Sequence, residues 1–182
     1  MPKKSTHFGY GALLLIAFIL TIVALFTPGW RSYKGSGAPD LGLVTRYCGD
    51  GNRQVNEFDC RAWHKSQLPF EKATLGLVVM ALIFEFFSIC CFFGLFSSRA
   101  QLGVPALSTT FLAFVCMLIA IIVYGVRMQY KIAYLQSTTF ELLANVYLGY
   151  SYWLAVIAAI FLFFATGVTS GFLKKQGETH LH

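Results

Sequence analysis

Four stretches of this 182-residue sequence are nearly free of charged side chains and long enough to cross a lipid bilayer as helices. A crossing helix needs about 20 apolar residues, because the hydrocarbon core is ~30 Å thick. In lipid the backbone must satisfy its own hydrogen bonds, which leaves helices or closed β-barrels, and none of the four runs alternates as barrel strands do. The predicted spans are residues 8–26, 73–96, 104–126 and 149–173.

The composition is that of a membrane protein. Apolar residues make up 57% and charged residues 12% of the chain, whereas soluble domains carry roughly 25% charged residues. The net charge of +6 comes from basic residues in the gaps between the apolar runs, not from a basic cluster that would bind nucleic acid. We therefore predict the lipid bilayer as a partner and no nucleic acid. Lys3 and Lys4 also fit a signal peptide, but the apolar run that follows is too long for one.

The sidedness of the four spans follows from the loops between them. An even number of spans puts both termini on one side and the loops 27–72 and 127–148 on the other. The positive-inside rule does not decide the orientation. The side with the two loops has more Lys and Arg in total, but on the side with the termini they make up a larger fraction of the residues. The cysteines of the first loop favour an oxidising compartment, so we predict cytoplasmic termini, extracellular loops and a multi-pass protein of the plasma membrane.

Cys48 and Cys60 lie twelve positions apart in that polar first loop, which predicts a disulfide if the loop is extracellular. Closing such a ring would stabilise the loop by ~3 kcal/mol in the chain-entropy model. Two free thiols on a cytosolic loop are the alternative. A zinc site is a weaker one, because His64 is the only nearby nitrogen ligand. The remaining cysteines lie within spans, where inert core thiols are expected; palmitoylation of the Cys90-Cys91 pair is the alternative.

The first loop contains short extended segments with a turn between them. Residues 30–33, 41–47 and 54–60 are strand candidates, and the Gly-rich residues 49–52 suit a hairpin turn. These features predict a small antiparallel sheet cross-linked by the two cysteines. Loop two carries apolar residues, Phe140 among them, and no strand is predicted there.

These residues resemble a known family. Trp30, then Gly42-Leu43-Val44, then Cys48 and Cys60 are similar to the first-loop signature of claudins, with valine in place of the motif's second tryptophan and a longer interval between the cysteines. Residues 146–150 resemble the claudin motif at the start of span four. Residues 124–127 and 149–155, with Gly167-Val168, resemble peripheral myelin and epithelial membrane proteins. The chain is identified as a claudin-like member of the superfamily that contains the claudins, the peripheral myelin proteins and the epithelial membrane proteins.

The resemblance implies an all-α transmembrane four-helix bundle with a small extracellular antiparallel β-sheet in the first loop. The amphipathic ring of Trp30 at the base of the loop indicates an anchor in the aromatic belt of the interface. The resemblance implies that Trp30 packs under the sheet against Gly42, Leu43, Val44 and the disulfide, and the two roles are compatible. In claudins, charges near the second cysteine govern ion passage. The matching charges here are mixed in sign. That they are ordinary solvated charges of a loop is therefore a simpler interpretation than that they select ions. They are Asp50, Arg53, Glu57, Asp59 and Arg61.

Two features within the spans stand apart from these motifs. Glu85 is the one acidic residue inside a span, and we predict that it is protonated and hydrogen-bonded within the bundle, or else in contact with a neighbouring subunit. Gly167 and Gly171 lie four positions apart in span four, below Ala155 and Ala159. Small residues at this spacing let helices approach closely, so we expect them to pack inside the bundle rather than to drive dimerisation.

The motifs of hydrolases, zinc proteases and nucleotide-binding proteins are absent from the sequence, so we predict no enzyme, no cofactor and no metal. The resemblance implies cell–cell adhesion and paracellular barrier formation at cell junctions, with homo-oligomers or like proteins as partners in the same and the adjacent membrane. The alternative is an auxiliary subunit of an ion channel or receptor, with Glu85 facing that partner. An enzyme or transporter is disfavoured, because the spans contain no paired ionisable residues.

Overall fold

The computed structural model describes residues 4–33, 40–47, 67–96, 102–128 and 146–179. Its helices are α1 (Lys4–Phe26), α2 (Pro69–Phe96), α3 (Gly103–Met128) and α4 (Tyr150–Thr179). All four are long and apolar enough to cross a membrane, which confirms the predicted four-span architecture. The helices extend a few residues past most ends of the predicted spans, because helical hydrogen bonding continues where polar side chains begin to reach water.

The four helices pack as a bundle in which α1 and α3 each contact both α2 and α4. Small residues dominate the interior, where fully buried alanines such as Ala17, Ala113 and Ala155 let the helices approach closely. Large apolar side chains point outward instead: Phe86 and Phe163 are more than half exposed. A soluble bundle would place such side chains inside. Here lipid solvates them.

A four-stranded antiparallel sheet covers one end of the bundle, which we call the sheet end. Its strands are β1 (Arg31–Tyr33), β2 (Asp40–Leu41), β3 (Arg46–Tyr47) and β4 (Val146–Leu148), in the order β3-β2-β1-β4. The small antiparallel sheet predicted for the first loop is confirmed. The candidate strand 41–47 is divided in two by a turn, in which Gly42 N donates to Thr45 O at 2.9 Å. The third candidate, 54–60, lies outside the described residues.

Strand β4 was not predicted, and it joins the second loop to the sheet of the first. It pairs with β1 in the register Arg31↔Leu148, Ser32↔Tyr147 and Tyr33↔Val146. Three residues are too few to show the alternation that marks a strand in sequence. The partner strand also lies more than a hundred positions earlier in the chain, so no local pattern could indicate the pairing.

The two glycines of span four occupy a different position from the predicted one. A Cβ atom added at Gly167 or Gly171 would meet nothing within 4 Å. The side of α4 that packs in the bundle carries Ala155, Ala159 and Leu162. The prediction that the alanine pair faces the bundle is therefore right, and the prediction that the glycines do so is wrong. Spacing identifies a stripe of small residues but not the side of the bundle on which it lies.

Candidate functional site

The junction between the sheet and the helices is formed where α1 ends. The last four carbonyl groups of a helix have no partner within it. Here Val23 O accepts from the Thr27 hydroxyl at 2.6 Å, and Ala24 O accepts from Trp30 Nε1 at 2.6 Å. Phe26 O accepts from Thr45 Oγ1, also at 2.6 Å. The first loop thus caps the helix from which it emerges, which fixes the direction in which β1 leaves the bundle.

Trp30 lies beneath the sheet and is wholly buried. Its ring meets Tyr124 of α3 edge to face, with centroids 5.0 Å apart, and Tyr152 of α4 at 6.1 Å. Phe70 of α2 contacts Tyr124 at 5.6 Å. A buried indole cannot be an anchor exposed to lipid head groups, so of the two interpretations of Trp30 the geometry supports packing under the sheet. The ring contacts residues of α1, α3 and α4, since its nitrogen is bonded to Ala24 of α1, and Phe70 of α2 joins the cluster through Tyr124.

The Gly42-Leu43-Val44 motif follows β2 and lies against the same core. Trp30 N donates to Leu41 O at 3.2 Å, which pairs the tryptophan with the strand before the motif. Leu43 is 1% exposed, and its carbonyl accepts from Gln67 Nε2 at 3.0 Å. A Cβ at Gly42 would lie 2.4 Å from Thr27 O, so only glycine lets this turn approach the end of α1. Val44 packs partly buried against the core.

The start of α4 is joined to the end of α1 by backbone hydrogen bonds. Gly149 N donates to Trp30 O at 3.2 Å and Ser151 N donates to Gly29 O at 2.8 Å. The Ser151 hydroxyl in turn accepts from Gly29 N at 2.9 Å. A Cβ at Gly149 would lie 2.4 Å from Gly29 O. The connection from α1 to β1 and the connection from β4 to α4 are therefore in direct contact. Gly29 and Gly149 make that contact sterically possible.

A buried ion pair was missed in the sequence. The Arg31 guanidinium of β1 donates to Glu71 Oε1 of α2, and both side chains are almost completely buried. The other oxygen, Oε2, accepts from Leu68 N at 2.9 Å, which caps the first turn of α2 as in one half of a capping box. A proline at the first helical position followed by an acidic residue could have indicated where α2 begins. Nothing local could have indicated the arginine.

Glu85 lies in the middle of α2, fully buried against α1. Thr21 Oγ1 of α1 donates to its Oε1 at 2.9 Å, and its Oε2 has no hydrogen-bond partner among the described residues. Because the carboxyl group faces the bundle interior, it is not placed to touch a neighbouring subunit. The Thr21 bond is the intramolecular arrangement expected of this residue, and its protonation remains a prediction.

A second polar cluster, also missed in the sequence, lies nearer the end of the bundle opposite the sheet. Tyr10 Oη and Thr110 Oγ1 are 2.8 Å apart, and Thr110 Oγ1 lies 3.1 Å from Ser88 Oγ. Ser88 Oγ is 2.6 Å from Thr109 Oγ1. These hydroxyl groups connect α1, α2 and α3. They satisfy one another in a place without water, which is the requirement for polar groups in a membrane interior.

Several candidate residues lie outside the described part of the chain. These are both cysteines of the predicted disulfide, Cys48 and Cys60, and the loop charges Asp50, Arg53, Glu57, Asp59 and Arg61. Within the described part, no three His, Cys, Asp or Glu residues are grouped as a metal site. Cys90, Cys91 and Cys116 are free thiols. The described residues thus form a structural junction between the sheet and the helices.

Replacing Glu85 by Gln is expected to leave surface expression near the wild-type level. The glutamine carbonyl can still accept from Thr21, and no charge is lost if the carboxyl group is protonated. Thr21→Val is the matched control, since it removes the donor and should cost about 1 kcal/mol. Surface biotinylation and thermal unfolding in detergent measure both variants. Severe misfolding of Glu85→Gln would instead indicate an ionised, paired carboxylate.

One comparison with known proteins identifies the chain. A family model described as tight junction protein, claudin-like, matches residues 1–179, almost the whole sequence. No match is found among curated proteins. The family is one of structural membrane proteins, and with four membrane-length helices the match makes this a multi-pass protein of the plasma membrane. The chain belongs to the claudin-like family of tight junction proteins.

Proposed function

We propose that this protein acts in cell–cell adhesion and paracellular barrier formation through its two extracellular loops. The observation that supports the proposal is the composition of the sheet, which takes β1, β2 and β3 from the first loop and β4 from the second. The first-loop part is fixed to the bundle by the buried Trp30 and by the Arg31–Glu71 pair. The second-loop part is held by the pairing of β4 with β1 and by the hydrogen bond from Gly149 N to Trp30 O. Two loops whose described parts share one sheet can present a defined face to a neighbouring molecule.

The edge of the sheet is the part best suited to such contacts. Strand β4 stands last in the strand order, and Tyr147 on it is 47% exposed. Edge strands offer backbone hydrogen-bonding groups to another chain. We infer that like proteins, in the same membrane and in the adjacent one, are the partners of this edge and of the loop residues beyond it.

The adhesion proposal is tested in non-adherent cells that make no junctions of their own. Tagged protein should accumulate where two expressing cells touch and should not accumulate where an expressing cell touches a non-expressing one. Tyr147→Asp, which places a charge on the exposed edge, should reduce this enrichment at an unchanged surface level. Lys72→Glu is the control, because it also adds negative charge at the sheet end but on α2. Uniform distribution of the wild-type protein would count against adhesion.

The orientation of the sheet is part of the proposal. Both described ends of the chain, in α1 and α4, lie at the end of the bundle opposite the sheet, which we assign to the cytoplasm. A membrane-impermeant maleimide applied to intact cells should label Cys48 and Cys60 only after reduction, because we expect them to form a disulfide. Labelling without reduction, and only after permeabilisation, would place the sheet inside the cell and exclude extracellular adhesion.

The alternative role, an auxiliary subunit of a channel or receptor, would bring the spans, including Glu85, into contact with the partner. The burial of Glu85 in the bundle gives no support to such a contact, so we place adhesion first. The same cells discriminate between the two functions. Uniform surface distribution together with stoichiometric copurification of a pore-forming protein would favour the auxiliary role.

A further inference from the structure

A groove opens on the outside of the bundle between α1 and α2, near the end opposite the sheet. Its volume is about 510 Å³, and six residues line it. They are Phe8, Gly11, Ala12, Leu15, Phe92 and Phe93. None of these side chains contains a polar atom. The groove is separate from the sheet junction and plays no part in the proposed function.

The floor of the groove is firmly packed. A Cβ at Gly11 would lie 2.3 Å from the ring of Phe92, so the glycine allows this ring to rest directly on the backbone of α1. Phe92 is 8% exposed and also meets Tyr10 edge to face at 5.7 Å. The walls are open by comparison, since Phe8 is 75% and Phe93 60% exposed. The groove is thus preformed, with a fixed floor between projecting aromatic rings.

The position of the groove in the membrane restricts what can fill it. All six lining residues lie within the membrane-spanning segments Phe8–Phe26 and Pro69–Gly94, so the groove opens into hydrocarbon and is continuous with the lipid-facing surface. Residues 97–101, which follow α2, have the sequence Ser-Ser-Arg-Ala-Gln and are too polar to be inserted there. The groove is thus open to the lipid of the bilayer.

We propose that the groove binds one acyl chain of a membrane phospholipid, in the leaflet on the side away from the sheet. The fused rings of a sterol are rigid and cannot adjust to the projecting side chains of Phe8 and Phe93. A flexible acyl chain requires no polar contact and gains dispersion contacts with the rings and with the Gly11–Ala12 floor. Because the floor is packed and fixed, the acyl chain stays bound in the groove for longer than other lipids stay on the open helix surface.

The proposal is tested with the full-length protein in phosphatidylcholine vesicles that contain a phosphatidylcholine with a diazirine on one acyl chain. After illumination, mapping of the adducts should concentrate them on the groove residues relative to exposed residues of α3 such as Ile119 and Ile122. In Ala12→Phe, which fills the groove, labelling of the groove residues should fall about tenfold, equivalent to ~1.4 kcal/mol in affinity. Ala73→Phe, the same change at an exposed position of α2 outside the groove, should leave labelling unchanged.

Phe93→Ala provides a second variant if Ala12→Phe does not fold. It removes one wall without adding bulk and should also reduce groove labelling, while size-exclusion chromatography confirms a folded protein. Labelling spread evenly over all lipid-facing helices would overturn the proposal. So would stronger labelling of the groove by a photoactivatable sterol, or protein–protein cross-links there showing that a second copy covers it.

Discussion

Arg31→Met is expected to destabilise the protein by about 3–5 kcal/mol, because it leaves Glu71 as an unpaired charge in a buried site. For a chain of this size the midpoint of thermal unfolding falls by roughly 2–4 °C for each kcal/mol, so a decrease of about 10 °C in detergent is expected. Less of the variant should also reach the plasma membrane. Fluorescence-detected size-exclusion chromatography after heating, with surface biotinylation, measures both effects.

Two further variants distinguish the lost pairing from the lost side chain. Arg127→Met makes the same change at an exposed position in the last turn of α3 and should have little effect. The double variant Arg31→Met/Glu71→Leu replaces both charges by apolar groups and should recover most of the stability, short of about 1 kcal/mol for the lost cap at Leu68 N. Equal unfolding temperatures for Arg31→Met and the wild type would show that the pair does not hold β1 on α2.

The four spans could be predicted from sequence because the bilayer fixes both their length and their polarity. A run such as residues 8–26 has to be a helix in hydrocarbon, and the structure contains the span Phe8–Phe26. The strand predicted at residues 30–33 was indicated by its own short extended pattern, and the structure contains β1 at Arg31–Tyr33. Where one local constraint decides the conformation, a single sequence contains the answer.

The contacts that define the junction could not be predicted, because they join distant parts of the chain. Arg31 and Glu71 are 40 positions apart, and each has an ordinary local explanation as a loop charge or a first-turn acid. The pairing of β4 with β1 depends on three residues that carry no periodic signal. Gly167 and Gly171 show the same limit in another form, since their spacing is visible but their direction depends on how α4 is rotated against its neighbours.

Trp30 could be recognised as important from its motif, but its partners could not. The resemblance placed it under the sheet, whereas its contacts with Tyr124 and Tyr152 depend on how α3 and α4 meet beneath it. The hydrogen bond to Ala24 O depends on where α1 ends. The motif thus indicated a structural residue, and only the fold shows that this one side chain contacts α1, α3 and α4 beneath the sheet.

Trp30→Ala should therefore be among the most damaging single substitutions in the described part of the chain. Removing a buried tryptophan typically costs 3–5 kcal/mol through lost contacts and the cavity that remains. The change also leaves Ala24 O at the end of α1 without the indole donor. We expect retention of most of the protein inside the cell and a lower midpoint of thermal unfolding for the fraction that is purified.

Trp30→Phe and Trp153→Ala make the origin of that loss measurable. Phenylalanine keeps much of the ring packing but not the hydrogen bond, so it should fall between the wild type and Trp30→Ala. Trp153 follows Tyr152 directly but is 56% exposed on the lipid side, so its replacement by alanine should cost far less. If Trp30→Ala unfolded at the same temperature as Trp153→Ala, burial under the sheet would not be what makes Trp30 necessary, and the junction would have to be held mainly by its backbone hydrogen bonds.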